Sequence, residues 1–219
     1  MKIKYELKKV KPNIFAVVIK DDYDRAMTFC RVQEYYESAN NKFRGKEFSI
    51  WDYMKWYSEE YMGFTYGVDW LGFNLPYDVA LKCYEDLLIK ETPYDDEMYD
   101  ILMKIKDIMD VNSNAYVIGA GDIEGETFTH EVCHGLWYTN PEYKKEAKII
   151  LNTIKPSHKK IFRKNLLLAG YPDKVIDDEI QAYLTISWDC RKFGTGINLE
   201  KIKKYHNVFI TTLEKFIKE

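Results

Sequence analysis

Beyond residue 125 the sequence reads as one helical segment after another, at about 126–139, 142–154, 158–169, 173–188 and 198–217. Pro141, Pro156, Gly170-Tyr171-Pro172 and Gly194-Thr195-Gly196 fall between them, each at a place where a lost N–H donor or a special turn conformation ends a helix. The first half is more varied. Short apolar stretches at Ile3–Leu7 and Ile14–Ile19, separated by Pro12-Asn13, predict two strands. Helices follow from Asp21 to about Glu37 and, capped by Ser49, to about Tyr61. Two more are expected at 77–89 and 94–110, the second opened by Thr92-Pro93, and Val111–Asn114 breaks it. Ala115–Ala120 is a further short strand. The expected fold is α+β, mostly α, in one domain of 219 residues, with strands, helices and an aromatic loop over 1–114 and the remainder over 115–219.

The segment Gly63–Pro76, GFTYGVDWLGFNLP, has no clear period and is rich in glycine and aromatic residues. It reads as an ordered loop, either plugging the core or forming a lid or groove wall, and core plugging is the commoner use.

Composition bounds the function. A hydrophobic share of 46% supports a buried core, and 32 basic against 35 acidic residues lack the basic surplus of a dedicated nucleic-acid binder. The start, MKIKYELKKVKPNIFAVVIK, lacks a signal peptide's apolar core and cleavage site, and no stretch has the apolar length of a membrane helix. Neither nucleic acid nor membrane is an expected partner, and the expected location is the cytoplasm. Cys30, Cys83, Cys133 and Cys190 form no C-x-x-C pair and are read as reduced, mostly core-filling thiols.

Chemistry concentrates at His130-Glu131-Val132-Cys133-His134, an H-E-x-x-H pattern on a predicted helix. Residues four apart are about 40° and one turn apart, so both imidazoles can meet one metal ion, with the glutamate about 100° round. Val132 and Leu136 share the core face with Phe128, and the histidines are expected on the opposite side. Cys133 falls at an angle suited to packing rather than ligation.

This strand, turn and H-E-x-x-H helix resemble the zincin metallopeptidases over roughly 115–190. The sequence after His134 lacks the third histidine of metzincins, so the resemblance is to the gluzincin branch, which takes a glutamate from a later helix. The resemblance implies Glu179, in D-D-E-I-Q-A-Y, as third ligand, with Asp178 the substitute; Val175, Glu179, Ala182 and Ile186 form a stripe suited to packing across the histidine helix near Trp137. It implies a zinc peptidase in which the metal activates a water and Glu131 is the general base. An oxyanion donor is expected from Tyr183, Tyr138 or His206, although His206 lies on the apolar face of the last helix. His158 reads as solvated surface, as does Asp177. Zincins commonly dock a peptide along the edge strand preceding this helix, which gives 115–120 that role and favours peptide or protein substrates.

Two other readings compete. Glu131-x-x-His134 is also the unit of di-iron carboxylate bundles, but His158 and His206 are preceded at three residues by lysines, so no second unit exists. A non-catalytic zinc-binding interaction protein is the alternative, against which stands the intact Glu131.

Overall fold

The computed structural model describes residues 3–87, 91–110, 114–187 and 191–217. The chain forms two compact units, one ending at Ile123 and one starting at Glu124. The described residues are mostly helical with a small mixed sheet, as expected for a mostly α form of α+β.

The first unit is built on a four-stranded sheet in the order β1 (Glu6–Lys11), β2 (Ile14–Val18), β4 (Tyr116–Ala120), β3 (Phe73–Pro76). Strands β1 (Glu6–Lys11) and β2 (Ile14–Val18) form a hairpin turned by Asn13, whose positive φ of 57° is one asparagine tolerates. β2 pairs in parallel with β4 (Tyr116–Ala120), Ile14 opposite Tyr116 and Val18 opposite Ala120, and both strands are buried at every residue. That two-sided burial explains why they read as continuous apolar runs. Helix α1 (Asp22–Glu37) packs on β3 and β4, and α2 (Ile50–Tyr61), α4 (Tyr77–Leu87) and α5 (Pro93–Ile108) complete the elements longer than one turn. Ser49 accepts from the first turn of α2 and Thr92 forms a capping box with Asp95, the two caps expected from the sequence, and Asp21 accepts from the first turn of α1.

The aperiodic segment 63–76 is more regular than expected. It holds a short helix α3 (Tyr66–Asp69) and strand β3 (Phe73–Pro76), and Tyr66, Phe73 and Leu75 are fully buried, which is the core-plugging use. β3 pairs antiparallel with β4, Phe73 opposite Gly119. This corrects the expectation for 115–120: β4 lies between β2 and β3, both of its backbone edges are hydrogen-bonded, and it has no free edge on which a peptide can add.

The second unit is helical: α6 (Gly125–Thr139), α7 (Pro141–Thr153), α8 (Pro156–Leu168), a 3-10 turn at Asp173–Val175, α9 (Ile176–Ile186), the short α10 (Arg191–Gly194) and α11 (Leu199–Ile217). Asn140 caps α7 through two bonds of 3.0 Å to Glu142 and Tyr143 N–H groups, with Pro141 in the first turn. α9 is central, packing against α6, α7, α8 and α11. Cys30, Cys83 and Cys133 are buried free thiols; Cys190, the expected break at 111–113 and the predicted ends of the helices at 89 and 188 lie outside the described residues. Among the described residues no helix is long and apolar enough to cross a membrane.

Candidate metal centre

Helix α6 presents His130 and His134 one turn apart, and α9 lies across them. Their Nε2 atoms are 3.0 Å apart. Glu179 Oε2 is 3.6 Å from His130 Nε2, and Oε1 is 3.6 Å from His134 Nε2. Ligand atoms sharing one zinc-sized ion lie at most about 4.2 Å apart, twice the bond length. Each of these nearest separations meets that limit, Glu179 turning one oxygen to each imidazole, and one ligand atom from each of the three residues lies within 4.8 Å of the others, a potential metal-holding group.

His130, Glu131 and His134 are all buried, because α9 covers the side opposite Val132 and Leu136. Ala182 is fully buried on α9, and its small side chain suits this close packing. Glu179 Oε2 and His130 Nδ1 are buried without a hydrogen-bond partner. A carboxylate oxygen removed from water and given no donor calls for a cation, and the donor set of two imidazoles and a carboxylate fits a borderline divalent metal.

Asp178 has a different place from Glu179. Its Oδ1 accepts from Nδ1 of His134 at 3.0 Å, on the far side of the ring from Glu179, and from Nε2 of Gln181 at 2.9 Å. Gln181 Oε1 in turn accepts from the Tyr143 hydroxyl at 2.6 Å. This chain fixes which nitrogen of His134 carries the proton and leaves Nε2 for the metal. Burial opposes charge on the His134 imidazole, but Asp178, Glu179 and Glu131 outweigh it and hold its pKa well above the ordinary value.

Tyr183, one turn beyond Glu179, stands with its ring centroid 4.5 Å from that of His130, and its hydroxyl meets that of Tyr171 at 2.8 Å. Burial, then Glu179, Tyr183 and Glu131, raise the Tyr171 phenol pKa, which keeps it protonated. His206 Nδ1 donates to the Leu184 carbonyl at 2.9 Å, serving the last turn of α9. Trp137 is covered by Lys144 and Lys148 of α7, whose ammonium groups are 5.2 and 5.8 Å from its ring. Cys133 packs in the core, and burial pushes its thiol pKa up to about 12. His158 corrects its expectation: it is half-buried, with Nδ1 2.9 Å from the Tyr205 hydroxyl. Asp177 is half-buried as a residue and pairs with Lys159 at 2.9 Å, its side chain 48% exposed.

Tyr143, Tyr171 and Gln181 escaped the sequence reading. Tyr171 stands in a Gly-x-Pro break that signals only a turn, and a glutamine inside a helix ordinarily signals solvent. The i, i+3 spacing of Asp178 and Gln181 was the available clue. Compared with protein-family models, curated proteins and solved structures, the chain matches none.

Proposed function

We propose that the chain is a zinc-dependent peptidase in which His130, His134 and Glu179 hold the metal and Glu131 is the general base. The carrying observation is the convergence of both Nε2 atoms on the buried Glu179 carboxylate, with a glutamate next to the first histidine on the same helix. The chemistry zinc supplies in a site with three protein ligands is Lewis acidity, which polarises a scissile carbonyl and acidifies water. Glu131 is near enough for its charge to raise the pKa of both His134 and Tyr171. Its carboxylate takes the proton of the attacking water and delivers it to the departing amine. Tyr183, packed against His130 and hydrogen-bonded to Tyr171, is the best placed donor for the oxyanion. The substrate is a peptide or protein, and the three buried free thiols support a cytoplasmic location.

One observation favours the alternative of a non-catalytic zinc-binding interaction protein: all three ligands and Glu131 are at most 9% exposed, and closed sites are typical of structural zinc. Metal analysis and a peptide-library cleavage assay on wild type, Glu131→Gln and Glu179→Ala separate the two. The peptidase requires stoichiometric zinc in wild type, cleavage lost with zinc kept in Glu131→Gln, and zinc lost in Glu179→Ala. Stoichiometric zinc with no cleavage by wild type supports the alternative, and wild type without zinc overturns the ligand assignment.

A further inference from the structure

Where α2 gives way to α3, the first unit has an open cavity of about 330 Å³ lined by Tyr57, Tyr61, Thr65, Asp69 and Trp70. Tyr57 and Tyr61 are four apart on α2, and their ring centroids lie 4.5 Å apart. Met62, at φ 60°, ends the helix and Gly63 turns the chain, so that Thr65 and Asp69 return beside Tyr57. The ring series continues from Tyr57 to Tyr66 at 5.5 Å and from Tyr66 to Trp70 at 6.2 Å. Tyr61 is 52% exposed and Trp70 46%, large values for rings of this size.

Asp69 is the one charged group in the lining. The Tyr57 and Thr65 hydroxyls both donate to its Oδ2, each at 2.5 Å. No described side chain donates to Oδ1, and no described cationic side chain pairs with Asp69. A carboxylate lining a cavity together with three aromatic side chains suits a cation. Its kind follows from the acceptors on offer. A hard metal ion asks for six or more oxygens, and a guanidinium asks for two free carboxylate oxygens, of which Asp69 has one. A primary ammonium is strongly hydrated and has three donors to satisfy. A quaternary ammonium has no donor, and its methyl shell packs on aromatic faces.

We propose that this cavity binds a quaternary ammonium head, such as that of choline and its esters or of a trimethylated lysine. The site is built from residues of the first unit alone, and its binding does not depend on the peptidase reading.

The test is titration of the full-length protein with tetramethylammonium, followed by tryptophan fluorescence and by line broadening of the ligand methyl resonance, with ammonium chloride at matched ionic strength as control. Saturable binding is expected with tetramethylammonium only. Trp70→Ala and Asp69→Asn should each weaken it by about threefold to tenfold. Both side chains are exposed, and an unchanged unfolding midpoint confirms that the variants are folded. Parallel titrations with choline and with a trimethyl-lysine peptide distinguish the sources, the tighter one identifying the carrier. No saturation by tetramethylammonium to about 10 mM, tenfold beyond a ~1 mM dissociation constant, overturns the proposal. Equal binding by the two variants and wild type overturns it as well.

Discussion

Asp178 and Glu179 are sequence neighbours that engage opposite nitrogens of one imidazole: Asp178 is 3.0 Å from Nδ1 of His134, and Glu179 is 3.6 Å from Nε2. Successive helical residues point about 100° apart, which lets the ring edge of His134 enter between them. The first orients the ring and the second shares its metal.

Asp178→Ala is therefore expected to weaken zinc binding by about 10- to 100-fold without removing a ligand. Competition against a chromophoric chelator measures it in the folded protein. Asp178→Asn should recover part of the loss, because its amide oxygen still accepts from Nδ1. An unchanged affinity in Asp178→Ala rejects the orienting role.

A second prediction concerns pH. Glu34 is buried on α1 and accepts from the Tyr66 hydroxyl at 2.8 Å. Burial outweighs the hydrogen bonds from Ser38, Tyr66 and Tyr53 and raises its pKa above the ordinary carboxylate value. A raised folded-state pKa contributes stability that is fully present below the unfolded value and is lost as pH rises through the folded one. Glu34→Gln removes this loss while keeping an acceptor for Tyr66. The stability of wild type relative to Glu34→Gln should fall as pH rises from the ordinary glutamate range through the raised folded-state value. Denaturant unfolding at a series of pH values measures it, and a constant difference between the two proteins refutes it.

What the sequence made legible follows the physics of each signal. Helix ends were readable because Ser49 and Thr92 cap by local chemistry, and Pro141 and Pro156 block continuation whatever the tertiary context. β3 was not readable, since Phe73, Leu75 and Pro76 are buried while Asn74 is only half-buried, and four residues are too few to establish a period. The metal-ligand candidates were legible as a motif. The extent of burial on their face was not, because a helical wheel gives directions around one helix and not how closely a second helix lies against it. The orienting role of Asp178 required the third dimension.

The buried guanidinium of Arg31 gives a third prediction. Its Nε donates to Asp95 at 2.7 Å, Nη2 to Glu91 at 2.8 Å and Nη1 to the Phe48 carbonyl at 2.6 Å. The Arg31 and Asp95 side chains are 6% and 5% exposed, so removing one charge strands the other in the interior. Arg31→Met should cost about 3–5 kcal/mol in urea unfolding. Lys159→Met, which breaks the more exposed pair with Asp177, should cost no more than about 1 kcal/mol. Similar costs for the two contradict the assignment of Arg31 as a buried hub.

The last prediction tests how α1 seats on the sheet. Gly119 of β4 lies opposite Phe73 of β3, and the Phe29 ring from α1 stacks on Phe73 with centroids 5.3 Å apart. A Cβ at residue 119 would meet Phe29 ring atoms at 2.5–2.7 Å, far inside van der Waals contact. Phe29 is itself fully buried, so its ring has little room to retreat. Gly119→Ala should destabilise the protein by about 1–3 kcal/mol through overpacking. Phe29→Leu alone should also destabilise, by loss of ring packing, but it vacates the space that the new methyl needs. The double variant is therefore expected to be more stable than the sum of the single losses, by about 0.5–3 kcal/mol of coupling. Strict additivity in the denaturant-unfolding cycle would mean that the ring does not set the approach of α1, and that glycine is needed at 119 for another reason.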